Sequence, residues 1–205
     1  MDGLTKDVIQ VIVWAIASVG GMIAAFKAID EMRKKNEQAR CDLRWAQAKQ
    51  AKELIDELRA DRLAFSTFQM MDWSGRSYKV EEKSLTIWFS DIGPALRTEN
   101  LAFSDKEQFI RDCFDSLHDR FGRFEIYVQN RLVLLPDLSA YCRYYIGCMR
   151  PFKKGIESYL KEYGFDGAEA FLKRHKEWSD PVAGNGDDRI PSRELECEAP
   201  TRPAG

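Results

Sequence analysis

The chain has 205 residues, with 31 Lys and Arg against 33 Asp and Glu, and 44% of it is hydrophobic. That length fits one modest domain with appendages, and the apolar content excludes a chain that is disordered throughout. A net charge of −2 argues against a dedicated nucleic-acid binder, so the informative feature is how charge and apolarity are distributed.

Residues 1–7 form a short leader, and 19 uncharged residues follow from Val8 to Phe26. As a helix they would extend roughly 28 Å, close to the hydrocarbon thickness of a bilayer. The leader sets Lys6 against Asp2 and Asp7, unlike the positive start of a cleaved signal peptide, and the apolar run is long for one. The reading is a transmembrane helix over 8–26, with a signal peptide and a buried soluble helix as the alternatives. Lys27, Arg33, Lys34, Lys35, Arg40 and Arg44 follow the span, and such charges stay on the cytoplasmic side. The expected placement is single-pass in an inner (plasma) membrane, with the amino terminus out and the body in the cytoplasm. Ala17, Gly21 and Ala25 recur at intervals of four, a small-residue face that lets two helices pack closely in lipid. The bilayer and a second copy of the chain are therefore the first expected partners.

Residues 27–63 hold ten basic and eight acidic side chains and neither proline nor glycine, the composition of a charged helical stalk. Met32, Ala39, Leu43 and Ala46 make a narrow, alanine-rich stripe. It suits either a solvated stalk merging into the domain or a short dimeric coiled coil.

A helical cytosolic domain is expected over 64–178, its apolar pattern beginning as early as Leu43. Asp72-Trp73-Ser74-Gly75 marks a break, and alternation at Tyr78 and Val80, then Leu85, Ile87 and Phe89, predicts a small hairpin. Ser90-Asp91 should cap a short helix ending near Leu96. Ser104 and Glu107 form a capping box ahead of an apolar face of Phe109, Ile110, Cys113, Phe114, Leu117, Phe121 and Phe124. Asp137 should cap a tyrosine-rich helix, Pro151 should kink or restart it, and Gly164 should stop the next. A last helix is expected over Asp166–Trp178. The tail, 179–205, holds four of the seven prolines and six acids against three arginines, so disorder is expected there. The fold class is thus mainly α, with at most one small hairpin.

Little of this pattern carries chemistry. The five cysteines (Cys41, Cys113, Cys142, Cys148 and Cys197) form no metal-binding spacing and read as reduced thiols, mostly packed in the core. Asp112, Asp115 and Asp119, with His118 alongside, read as a solvated acidic face rather than a metal or acid–base site. No phosphate-binding loop, dinucleotide fingerprint or nucleophile elbow is present, so no enzyme activity, cofactor or metal is expected. Tyr141, Tyr144 and Tyr145, interleaved with Arg143, Arg150, Lys153 and Lys154, resemble a nucleic-acid groove, but tyrosines at helical spacing pack more simply inward. No nucleic acid is expected as a partner.

The chain resembles a family of uncharacterised bacterial single-pass membrane proteins with a charged helix and a compact helical domain. Trp45-Ala46-Gln47-Ala48-Lys49-Gln50-Ala51, Met71-Asp72-Trp73, Phe114-Asp115, Tyr144-Tyr145 and Tyr163-Gly164-Phe165 carry the likeness. It extends over residues 43–175 and implies architecture and location alone. The expected function is a membrane-tethered interaction module that self-associates and binds an unidentified protein. Its candidate contact residues are Asp72, Trp73, Tyr141, Tyr144 and Tyr145. A membrane effector of a bacterial stress or phage-defence system is the alternative, ahead of an unfamiliar enzyme or nucleic-acid module.

Overall fold

A computed structural model describes residues 2–80 and 82–179; ahead of Phe26 it describes the side chains of Trp14 and Met22 alone. The tail from Asp180 and the small-residue face of Ala17, Gly21 and Ala25 lie outside the described residues and side chains. Among the described residues no helix is long and apolar enough to cross a membrane. The expected span over 8–26 falls largely on side chains outside that description.

The described chain is mainly helical. Helix α1 runs over Asp2–Ala60, and the chain divides into two units at Gln47. In the first unit Phe26, Ile29, Met32, Leu43 and Trp45 are exposed, and Lys34 bonds Asp30 one turn away at 2.8 Å.

The second unit begins inside α1. Its last four turns supply Ala51, Leu54 and Leu58 to the core, so the stalk's far end is part of the body. The stalk helix expected to continue through residue 63 instead ends at Ala60. Asp61 explains the break. It adopts an extended backbone and caps α2 (Arg62–Asp72) by accepting bonds from the amides of Leu63 and Ala64, both at 3.1 Å. Its second oxygen accepts from Ser116 at 2.9 Å and from Arg120 Nη2 at 2.9 Å, which pins the bend to a distant helix.

The expected hairpin is present. Strand β1 (Gly75–Val80) pairs antiparallel with β2 (Lys83–Trp88), in a register that joins Gly75 to Trp88 and Val80 to Lys83. Tyr78 and Ile87 face inward. Helix α3 (Phe89–Ala95) starts one residue before the expected cap, with Asp91 accepting from the Trp88 amide at 2.8 Å.

Helix α4 (Asp105–Gln129) opens on the expected capping box: Ser104 accepts from the Glu107 amide while Glu107 accepts from the Ser104 amide at 2.9 Å. Its apolar face buries Ile110, Cys113, Phe114, Leu117, Phe121 and Phe124 against α2, α3 and α7. Each fully buried phenylalanine stabilises the fold by about 1.5–3 kcal/mol before entropy is counted, which makes α4 the spine of the body.

Helix α5 (Leu135–Met149) begins two residues before Asp137, because Pro136 has its φ preset for a first turn and needs no amide partner there. A 3₁₀ turn over Arg150–Phe152 carries the kink expected at Pro151, and α6 spans Lys153–Glu162. Gly164 ends that segment with φ of 72°, the left-handed conformation that glycine adopts without strain.

The last expected helix is two. Helix α7 (Asp166–Lys173) stops short and α8 (Lys176–Ser179) follows it. His175 lies buried at the junction, where its Nδ1–H donates to the Phe171 carbonyl at 2.9 Å and its Nε2 accepts from Ser139 at 2.9 Å. Those two bonds fix the ring against α5 and compensate the interrupted helix.

Candidate functional site

Four of the five candidate contact residues, Asp72, Tyr141, Tyr144 and Tyr145, meet on one face of the body. Tyr141, Tyr144 and Tyr145 fall at spacings of three and four on α5, which aligns them along one side of the helix. Tyr145 is half-buried and stacks on Phe68 of α2, with centroids 4.0 Å apart and planes inclined by 15°. Tyr144 stands edge-on to Tyr145 at 5.2 Å and is 60% exposed. Its hydroxyl donates to Asp72 at the end of α2. That bond to a carboxylate raises the Tyr144 phenol above its ordinary range and holds its ring upright.

Arg59 completes the upper part of this ledge from α1. Its Nε donates to the Tyr141 hydroxyl at 3.1 Å, and its guanidinium lies 4.6 Å from that ring's centroid. The charged pattern of residues 27–63 gave no reason to single out Arg59, since it sits there among nine other bases.

Trp73 is placed apart from the tyrosines. It follows the α2 end in extended conformation, is 56% exposed and has the Arg76 guanidinium 5.5 Å from its ring. Trp88 is also exposed, and its ring covers Gly75 across the hairpin: a Cβ built on Gly75 would lie 2.4 Å from it. Both tryptophans therefore present themselves at the base of the hairpin. Asp72 joins the tyrosines, whereas Trp73 joins the hairpin.

A second constellation lies inside the body. The acidic row of α4 is split: Asp112 and Asp119 are exposed, while Asp115 is half-buried and accepts from the Tyr159 hydroxyl at 2.5 Å. Burial pushes the Asp115 carboxyl up, beyond what the Tyr159 bond restores. The expectation of a wholly solvated acidic face is corrected at Asp115 and His118, which turn inward.

Arg111 is buried too, its guanidinium 4.2 Å from the Phe103 ring centroid, 4.7 Å from Tyr159 and 4.9 Å from Tyr163. It donates to the carbonyls of Ala95 and Arg97, both at 3.1 Å, so it ties the end of α3 to α4. His118 is fully buried among Phe114, Tyr159 and Phe165, and neither ring nitrogen has a hydrogen-bond partner. Burial holds it neutral, with its pKa lowered to about 3.

Polar side chains complete the same helix further along. Glu125 is buried and receives Arg174 at 2.7 Å and 2.6 Å in a two-pronged pair. Burial raises the Glu125 carboxyl, but the bonds from Arg174 and Gln129 outweigh it and hold the group below its ordinary value. Neither the cleft beside α3 nor the one beside the hairpin is lined by Asp115, His118 or Tyr159. Among the described residues, no three His, Cys, Asp or Glu side chains converge as a metal site. Arg111, Asp115 and Glu125 tie elements together inside the body, and the exposed aromatic ledge is the candidate site. Cys113 and Cys142 are buried free thiols, and burial pushes the Cys142 thiol up to about 12, which disfavours the thiolate.

Comparison with protein-family models, curated proteins and solved structures gives no match.

Proposed function

We propose that this chain is a membrane-tethered interaction module, held in the bilayer by residues 8–26 and self-associating through Ala17, Gly21 and Ala25. The partner face is the ledge of Asp72, Tyr141, Tyr144 and Tyr145 together with Trp73 at the base of the hairpin, and the partner is a protein. One observation carries this reading. Tyr144 and Trp73 are 60% and 56% exposed. Each is held in place, by Asp72 and by Arg76 respectively. Rigid, amphipathic aromatics that lose little entropy on contact are the side chains that dominate protein–protein interfaces.

The test is site-specific photocrosslinking in cells that express the full chain, with the probe at residue 73, at residue 144 or, as a control, at Glu162 on the exposed end of α6. A discrete protein adduct from positions 73 and 144, absent at 162, supports the ledge as the contact. Adducts of equal yield at all three positions, or none, contradict it.

A further inference from the structure

Two of the candidate contact aromatics already carry an arginine. The Arg59 guanidinium lies 4.6 Å from the Tyr141 ring centroid, and that of Arg76 lies 5.5 Å from the Trp73 ring. Tyr144 is 60% exposed, and among the described residues no cation lies over its ring. Its hydroxyl donates to Oδ1 of Asp72, an exposed carboxylate that makes no ion pair among the described residues. Resting on the reading of the ledge as a protein-contact face, we infer that the partner protein docks by an arginine side chain. Its guanidinium lies over the Tyr144 ring and pairs with Asp72.

Ring and carboxylate select the same group. An ionised carboxylate only accepts, and Tyr144 engages one of the two Asp72 oxygens. Oδ2 receives no bond among the described residues. The face of an aromatic ring is its negative side, so a cation above Tyr144 is attracted by the ring and by Asp72 together. A guanidinium suits the pair better than an ammonium, because its plane stacks on a ring while its N–H edge reaches a carboxylate. Arg59 makes the related contact within the fold, lying against Tyr141 while donating to that hydroxyl at 3.1 Å.

Other occupants fit less well. An acidic segment would be repelled by Asp72. A neutral, proline-rich segment could stack on the ring, but it would take water from the carboxylate and return no counter-charge. The receiving groups are also held in place. Tyr144 is braced edge-on by Tyr145 at 5.2 Å, and Tyr145 is stacked on Phe68. Little side-chain freedom is therefore left to lose when the arginine arrives.

The test is nuclear magnetic resonance of the full chain in neutral detergent, with isotope-labelled tyrosine rings and the Tyr144 signal assigned from Tyr144→Phe. The probe is N-acetyl-arginine methylamide at constant ionic strength, and the citrulline analogue, of the same shape without the charge, is the control. The Tyr144 signal should move with the arginine probe, with an initial slope about fivefold or more above that for citrulline. Asp72→Asn keeps an oxygen for the Tyr144 hydroxyl but removes the charge, and it should abolish most of that difference. Equal slopes for the two probes, a difference that survives Asp72→Asn, or no movement up to about 100 mM overturns the inference. A crosslinked protein at position 144 without an arginine response would overturn this chemistry alone and leave the contact face standing. An arginine response without any crosslink would contradict the contact face instead.

Discussion

Gly167 of α7 rests directly on Gly122 of α4: a Cβ added to Gly167 would sit 3.0 Å from the Gly122 Cα, whereas one added to Gly122 would meet nothing closer than 3.9 Å. The approach is backbone against backbone, so neither side can yield by a rotamer change. It is what allows Ala168, Phe171 and Leu172 to reach the apolar face of α4.

The two glycines should therefore respond oppositely to alanine. Gly167→Ala must force the helices apart and is expected to cost about 1–3 kcal/mol. Gly122→Ala has room and gains helix propensity, so it should be neutral or stabilising by up to about 1 kcal/mol. Urea unfolding of the two variants checks the pair, and equal effects would show that the crossing is not glycine-dependent.

Asp61 joins two tasks, capping α2 and receiving Arg120 and Ser116 from α4. Burial pushes its carboxyl up, but the Ala64 amide and Arg120 together hold it below its ordinary value of 3.8. Asp61→Ala should cost about 2 kcal/mol, the sum of a lost cap and a lost partly buried pair. A carboxyl with a lowered folded pKa adds stability that is complete above 3.8 and is lost as the pH falls through the lower folded value. The difference in unfolding free energy between wild type and Asp61→Ala should accordingly shrink in acid. A constant difference from pH 7 to pH 2 would contradict the assignment.

His118 gives a separate acid response at higher pH. Its folded pKa is lowered to about 3 from 6.5 because no partner offsets its burial. Stability held by the neutral ring is complete above 6.5 and declines as the pH falls toward the folded value, since the unfolded chain takes up the proton first. His175 is lowered by burial as well and contributes to the same limb in both proteins. His118→Leu removes two unsatisfied nitrogens and should stabilise the body by about 1–3 kcal/mol at pH 7, with a larger gain at pH 5. Melting temperatures across that range decide it, and a gain that does not grow on acidification would contradict the account.

Much of the body was legible because it rests on local chemistry. Ser104 and Glu107 cap α4, Gly164 stops the chain after α6, and alternation about residues 78–87 makes the hairpin. What stayed hidden were polar side chains facing inward. Asp115, His118 and Glu125 count as polar in any hydropathy pattern, yet Tyr159, a ring of aromatics and Arg174 receive them from 44 or more residues away in sequence, or in the case of the rings from 4 to 47. The split between α7 and α8 depends in the same way on Ser139 meeting His175, a contact between distant segments. The ledge was half legible. The tyrosine spacing on α5 placed its members on one side, but only the packing reveals that Tyr145 is an anchor on Phe68, that Tyr144 is the exposed tip and that Arg59 belongs with them.

The tether is tested most directly by alkaline carbonate extraction of membranes from cells expressing the full chain, alongside a variant carrying Ile12→Arg and Ala17→Arg. Charges at those positions cost several kcal/mol in hydrocarbon. Wild type should stay in the pellet and the variant should be released. Wild-type chain recovered in the supernatant at its full length would contradict it.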